Sequence, residues 1–153
     1  MRQKTMCLII LILLFGVSST HAKPADRPET GTIIRDMYRD GDGMLIINNN
    51  WTMDTVAVLT DKRNKPKLAV YLRTKDTIEI DGIRDGEYIP YFTIGDGWNA
   101  AAGDFDTVYR YCRYPPMVFD TDEINYTKQE INLYEADATN FMPGQFDFPD
   151  ISS

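Results

Sequence analysis

The sequence predicts an all-β fold: a single antiparallel β-sandwich of about seven strands, preceded by a signal peptide and a flexible tether. Three observations point there. After residue 22 no segment keeps a helical repeat over three turns. Short runs rich in Val, Ile, Thr and Tyr recur instead, several of them strictly alternating. Turn residues separate these runs at close spacing, as in a sandwich rather than in a chain of alternating helices and strands.

Residues 1–22 read as the signal peptide. Met1-Arg2-Gln3-Lys4 gives a positive start, and residues 7–17 run without a polar side chain. That run is too short for a membrane-spanning helix, which needs roughly 20 residues. Thr20 and Ala22 are small residues where a signal peptidase reads, so cleavage is predicted after Ala22. The product is expected to be secreted, periplasmic or held at the cell surface, with no transmembrane helix in the mature chain. Residues 23–42 read as a flexible linker, with Pro24, Pro28, Gly31, Gly41 and scattered charges interrupted by one short strand at residues 32–35.

The sandwich is expected over residues 43–139. Residues 44–48 form a first strand, stopped by Asn48-Asn49-Asn50. Residues 54–61 alternate, with Val56 and Val58 on one face and Ala57 and Leu59 on the other. A polar turn through Asn64 and Pro66 leads to residues 67–73, where Leu68, Val70 and Leu72 share a face. Residues 77–81 follow, then 87–94, where Pro90 argues for an edge or a bulge. A glycine-rich loop from Gly95 to Gly103 precedes a strand at 105–114. Val118-Phe119 and residues 129–135 complete the set, and residues 140–153 read as an extended C-terminal tail.

The chain carries a formal net charge of −7, and loss of Arg2 and Lys4 with the signal makes it −9. Phosphate backbones repel such a surface, so nucleic acid is excluded as a partner. The single histidine, His21, leaves with the signal. That removes the usual general base, the Ser–His and Cys–His dyads and the imidazole ligands of zinc. The mature serines are Ser152 and Ser153, and the one mature cysteine, Cys112, sits in an aromatic run, where it is read as a packed thiol ahead of an intermolecular bridge. No catalytic residue is assigned.

Acids remain. Paired carboxylates among Asp104, Asp106, Asp120, Asp122 and Glu123 would suit glycoside hydrolysis. Asp96, Asn99, Asp104 and Asp106, within one loop, have the oxygen chemistry of a calcium site. Trp98, beside Asn99, is the candidate ligand-binding residue, as a stacking face or an end plug. Asn50-Trp51-Thr52 and Asn125-Tyr126-Thr127 are glycosylation sequons, with Asn50 and Asn125 the acceptors.

In Ile78-Glu79-Ile80-Asp81-Gly82-Ile83-Arg84-Asp85-Gly86-Glu87-Tyr88, two alternating apolar residues lead into Gly-Ile-x-x-Gly-x-Tyr. This resembles the corner of prealbumin-like sandwiches: carboxypeptidase regulatory-like domains and the B-type repeats of surface adhesins. Gly82 and Gly86 would turn the chain, Ile83 plug the core and Tyr88 begin the returning strand. The wider pattern of Gly43, Leu45, Ile47, Asn49, Asp54, Val56, Tyr71, Arg73, Gly95, Gly97 and Trp98 is similar to a family of uncharacterised secreted or accessory domains. The resemblance implies a fold, with binding or structural roles. The expected function is thus an exported, non-catalytic binding or structural module whose partner is a protein or a glycan. The alternatives are a carbohydrate-binding domain using Trp98 and nearby tyrosines, and a carboxylate-dependent glycan hydrolase.

Overall fold

The computed structural model describes residues 27–122, 124–134 and 148–151. The signal peptide expected at 1–22, Glu123 and the tail residues 140–147, 152 and 153 lie outside them. Nine strands are described and no helix: β1 (Ile33–Arg35), β2 (Gly43–Asn49), β3 (Asp54–Thr60), β4 (Pro66–Leu72), β5 (Thr77–Ile83), β6 (Gly86–Asn99), β7 (Asp104–Arg113), β8 (Met117–Phe119) and β9 (Lys128–Leu133). The nine include two three-residue strands, β1 and β8, at the positions where the sequence offered only a short run at 32–35 and Val118-Phe119.

The larger sheet runs β1-β4-β3-β6-β7, with β8 on the end of β6, and the smaller runs β5-β2-β9. All pairings are antiparallel except β2 with β9, which lie parallel, Ile47 beside Ile131. The chain between β2 and β9, which runs through β3 to β8, gives the long crossover that a parallel pair needs. Alternation decides the core. Leu45, Ile47, Ala57, Leu59, Leu68, Val70, Leu72, Ile80 and Phe92 fill the space between the sheets. The opposite face of the larger sheet is apolar too. Val56, Val58, Ala69, Tyr71 and Tyr91 are buried there with Trp98, Phe105 and Ile151. Hence β3 is buried along its whole length, as its two apolar faces require.

What covers that outer face lies at the ends of the chain. Phe148 of the expected tail packs on Tyr91 and Tyr111, with ring centroids 6.3 and 5.0 Å away. The stretch expected as a linker is also tied down from Arg27 onward. Gly31 N donates to Tyr71 O (2.8 Å) and Tyr71 N to Thr32 O (2.9 Å). Arg73 Nε donates to Pro28 O (2.7 Å), Arg73 N to Thr30 Oγ1 (2.9 Å), and its guanidinium pairs with Glu29 (2.7 Å). Polar donors reaching across from β4 supply what residues 27–35 lack in apolar surface, so the entropy argument for a free linker fails there.

Proline 90 stands inside β6 rather than on an edge. It lies where β6 exchanges neighbours, from β8 at residues 86–88 to β7 at residues 91–99. Its missing N–H therefore breaks no ladder on that side, while its carbonyl accepts from Tyr114 N (2.8 Å).

The corner takes the chain from β5 in one sheet to β6 in the other. Gly82 and Gly86 have φ of +81° and +151°, Ile83 is fully buried, and Tyr88 donates its hydroxyl to Arg84 O (3.1 Å). A Cβ on Gly82 would also stand 2.9 Å from Arg39 Cβ and 3.0 Å from Arg39 O, whereas on Gly86 it would meet only the Tyr88 ring at 3.6 Å. Gly82→Ala should therefore cost about 2 kcal/mol and Gly86→Ala about 1 kcal/mol, the first adding a clash to left-handed backbone strain. Urea midpoints of the two variants check the order; the reverse order would mean that strain at Gly86, not crowding at Gly82, limits the corner.

Candidate functional site

A cleft of about 540 Å³ opens at the end of the sandwich where β2 turns into β3 and β6 into β7. Its lining comes from Arg27, the start of β3 (Asp54), the end of β4 (Tyr71), Thr74, and the β6–β7 hairpin (Asp96, Gly97, Trp98, Asp106). The β2–β3 loop beneath it is set by Asn49. Its side chain donates to Met53 O (3.0 Å) and Arg73 O (3.0 Å), and accepts from Trp51 N (3.1 Å). The asparagine cluster read as a turn signal is thus a loop organiser, with Asn49 buried to satisfy three backbone groups.

Asp54 is the centre of the floor. It is 7% exposed, yet every lone-pair direction is served. Arg27 donates through Nε (2.6 Å) and Nη2 (2.5 Å), Tyr71 through its hydroxyl (2.5 Å) and Thr74 through its backbone N–H (2.9 Å). Burial pushes the Asp54 carboxyl up, but the Arg27, Tyr71 and Thr74 donors together outweigh it and hold the group below the usual carboxylate range. The hydrogen bond to Asp54 raises Arg27 in turn, and burial followed by that same carboxylate raises Tyr71. Tyr71 is therefore a fixed donor, and Asp54 a spent acceptor.

Trp98 closes one wall. The sequence places it in a loop; the structure extends β6 through it to Asn99, because the chain absorbs an irregularity between Ile94 and Gly95 and stays paired with β7, Trp98 opposite Phe105. The ring is 7% exposed and meets Tyr71 and Phe105 edge-on, at 5.9 and 5.3 Å. No open face is left for a sugar to stack on. Its place is in the apolar cluster on the outer face of the larger sheet.

The four residues expected to converge on calcium separate into two pairs. Asn99 turns its Oδ1 to Ala101 N (3.1 Å) and Ala102 N (3.2 Å), organising the hairpin tip. Asp104 accepts from Phe105 N (2.8 Å) and the Tyr111 hydroxyl (3.2 Å). Asp96 and Asp106 line the cleft instead. Among the described residues no group of three or more acidic, histidine or cysteine side chains could hold a metal ion. Asp122 accepts from Ile124 N (2.8 Å) and Asn125 N (2.8 Å) in an exposed turn, and these bonds hold it below the usual carboxylate range.

Of the sequon asparagines, Asn50 is half-buried, its carbonyl taken by Lys75 Nζ, while Asn125 is exposed with its amide on Asp122 (3.2 Å). Cys112 is a buried free thiol, pushed up to about 11 by burial and so held protonated. Sequence reasoning missed Arg27, Asp54 and Tyr71 as site residues. The only signal for two of them was their presence in the wider pattern, of which Asp54, Tyr71, Gly97 and Trp98 line the cleft. The chain matches no protein-family model, no curated protein and no solved structure.

Proposed function

We propose that this chain is an exported, non-catalytic binding module, and that it takes a cationic group of its partner into the cleft over Asp54 and Trp98. The observation that carries the reading is how charge is distributed there. Arg27 neutralises Asp54, which leaves the carboxylates of the exposed Asp96 and Asp106 as the cleft's net charge, beside an aromatic wall of Tyr71 and Trp98. A primary ammonium or guanidinium on an alkyl stem suits such a place: the stem lies on the aromatic edges and the head meets the carboxylates. The absence of histidine after residue 22 and the full occupation of Asp54 and Tyr71 support a site that binds without turnover. The glycan reading ranks below, since it needs a tryptophan face and Trp98 has none to offer.

The experiment is an NMR titration at physiological ionic strength, following the Trp98 indole and the Gly97 amide. N-acetyl-arginine amide and spermidine should move both resonances, and the Asp96→Asn/Asp106→Asn protein should bind them about tenfold more weakly, as two exposed charge contacts predict. Shifts caused by a neutral oligosaccharide and not by the cations would overturn the reading, as would turnover of any glycan in the same tube.

A further inference from the structure

We infer that β7 is a self-association edge, at which two copies of this chain pair antiparallel about a two-fold axis near Val108 and Tyr109. Strand β7 is ten residues long and stands last in the larger sheet; among the described residues no strand pairs with its far side. An unpaired edge of that length is a template for another strand. Residues 104–113 contain neither proline nor lysine, and the one bulge of β7, at Tyr109 between the pairings of Arg110 with Ile94 and of Val108 with Gly95, falls at the proposed axis.

The charges along β7 choose the partner. Asp104 and Asp106 occupy its first half, Arg110 and Arg113 its second. Turning a second β7 antiparallel sets the acidic half of each copy beside the basic half of the other; a parallel arrangement would set like on like. In a chain of net charge −7 this is a self-complementary strip. Tyr109, 61% exposed, falls near the axis, where it and its symmetry mate would cover one another. One guanidinium nitrogen of Arg110 is buried beside Trp51 with no hydrogen-bond partner, and an acid arriving along this edge would supply one.

The other edges fit a second copy less well. Strand β1 has only three residues. Strand β5 turns Glu79 and Asp81 outward, so self-pairing would oppose acids. The edge at β9 is bridged by Gln129, which donates to Val118 O (3.0 Å).

Sedimentation equilibrium and concentration-dependent hydrogen exchange of the purified protein test this together. A monomer–dimer equilibrium is expected, with β7 amides exchanging more slowly as dimer forms. Arg113→Asp should weaken the dimer by about tenfold or more, and Asp104→Arg/Arg113→Asp should return it to within about threefold of the parent, because the swap rebuilds the cross-pair. A protein that stays monomeric at every concentration overturns the inference. So does a dimer whose β7 amides are unprotected, or one that Arg113→Asp leaves intact.

Discussion

Replacing Asp54 with alanine should cost about 3 kcal/mol at neutral pH, since it removes charge-assisted bonds and strands a buried tyrosine hydroxyl. Four donors on three residues converge on this carboxylate, and they come from residues 27, 71 and 74. One side chain therefore joins the N-terminal stretch, the end of β4 and the turn after it to the start of β3. Removing a donor instead should cost less. Arg27 is half exposed, so its guanidinium is readily hydrated in the unfolded chain, and Arg27→Ala should lose about 1–2 kcal/mol. Tyr71→Phe, which deletes one bond and keeps the ring on Trp98 and Phe105, should lose about 1 kcal/mol.

The sign of the pH dependence follows from the direction of the shift. Folding lowers the Asp54 carboxyl, so the folded state releases this proton more readily than the unfolded chain does. Its contribution is whole above the ordinary carboxylate value of about 3.9 and is lost as pH falls through the lower folded value. Asp54→Ala should consequently show a shallower loss of stability below about pH 4 than the parent. Urea denaturation at neutral and acid pH measures both effects. A neutral-pH loss under about 1 kcal/mol would mean that desolvation of Asp54 nearly cancels its hydrogen bonds.

The same residues explain what was legible in the sequence. Period-two alternation names a face, so Leu68, Val70 and Leu72 and the two faces of β3 could be placed from sequence alone. Gly82 and Gly86 were legible for a similar reason: a short motif of glycines and one plug residue states its own geometry. The anchoring of residues 27–35 was not. It depends on Asp54, Asp76 and Arg73 meeting Arg27, Thr30 and Pro28 across 27 to 46 positions of sequence, and a polar stretch carries no mark of the partners that will meet it. The cleft failed to show for a related reason, as its floor is one carboxylate whose partners are scattered. The loop at 95–103 was misjudged because glycine signals both a turn and a close approach, and at Gly95 the second meaning holds.

That close approach makes Gly95→Ala the other substitution of large effect. A Cβ there would stand 2.3 Å from Thr107 O and 2.9 Å from Phe105 Cβ and Cγ. The first contact is with backbone of the paired strand, so no rotamer relieves it. The β6–β7 ladder would have to open at the register shift between Ile94 and Gly95, beside the pairing of Gly95 with Val108. Phe105 would move with it, and Phe105 packs against both Tyr71 and Trp98. A single methyl group should thus cost about 3 kcal/mol, the upper part of the range for overpacking, because backbone yields less than side chain. The loss should be visible locally as well as globally: Trp98, buried in the parent, should emit further to the red in the folded variant as the hairpin lifts from Tyr71. A Gly95→Ala protein that keeps the parental urea midpoint and tryptophan emission would mean that β6 and β7 can separate at this point without disturbing the cleft, and that the hairpin is not what holds Trp98 in place.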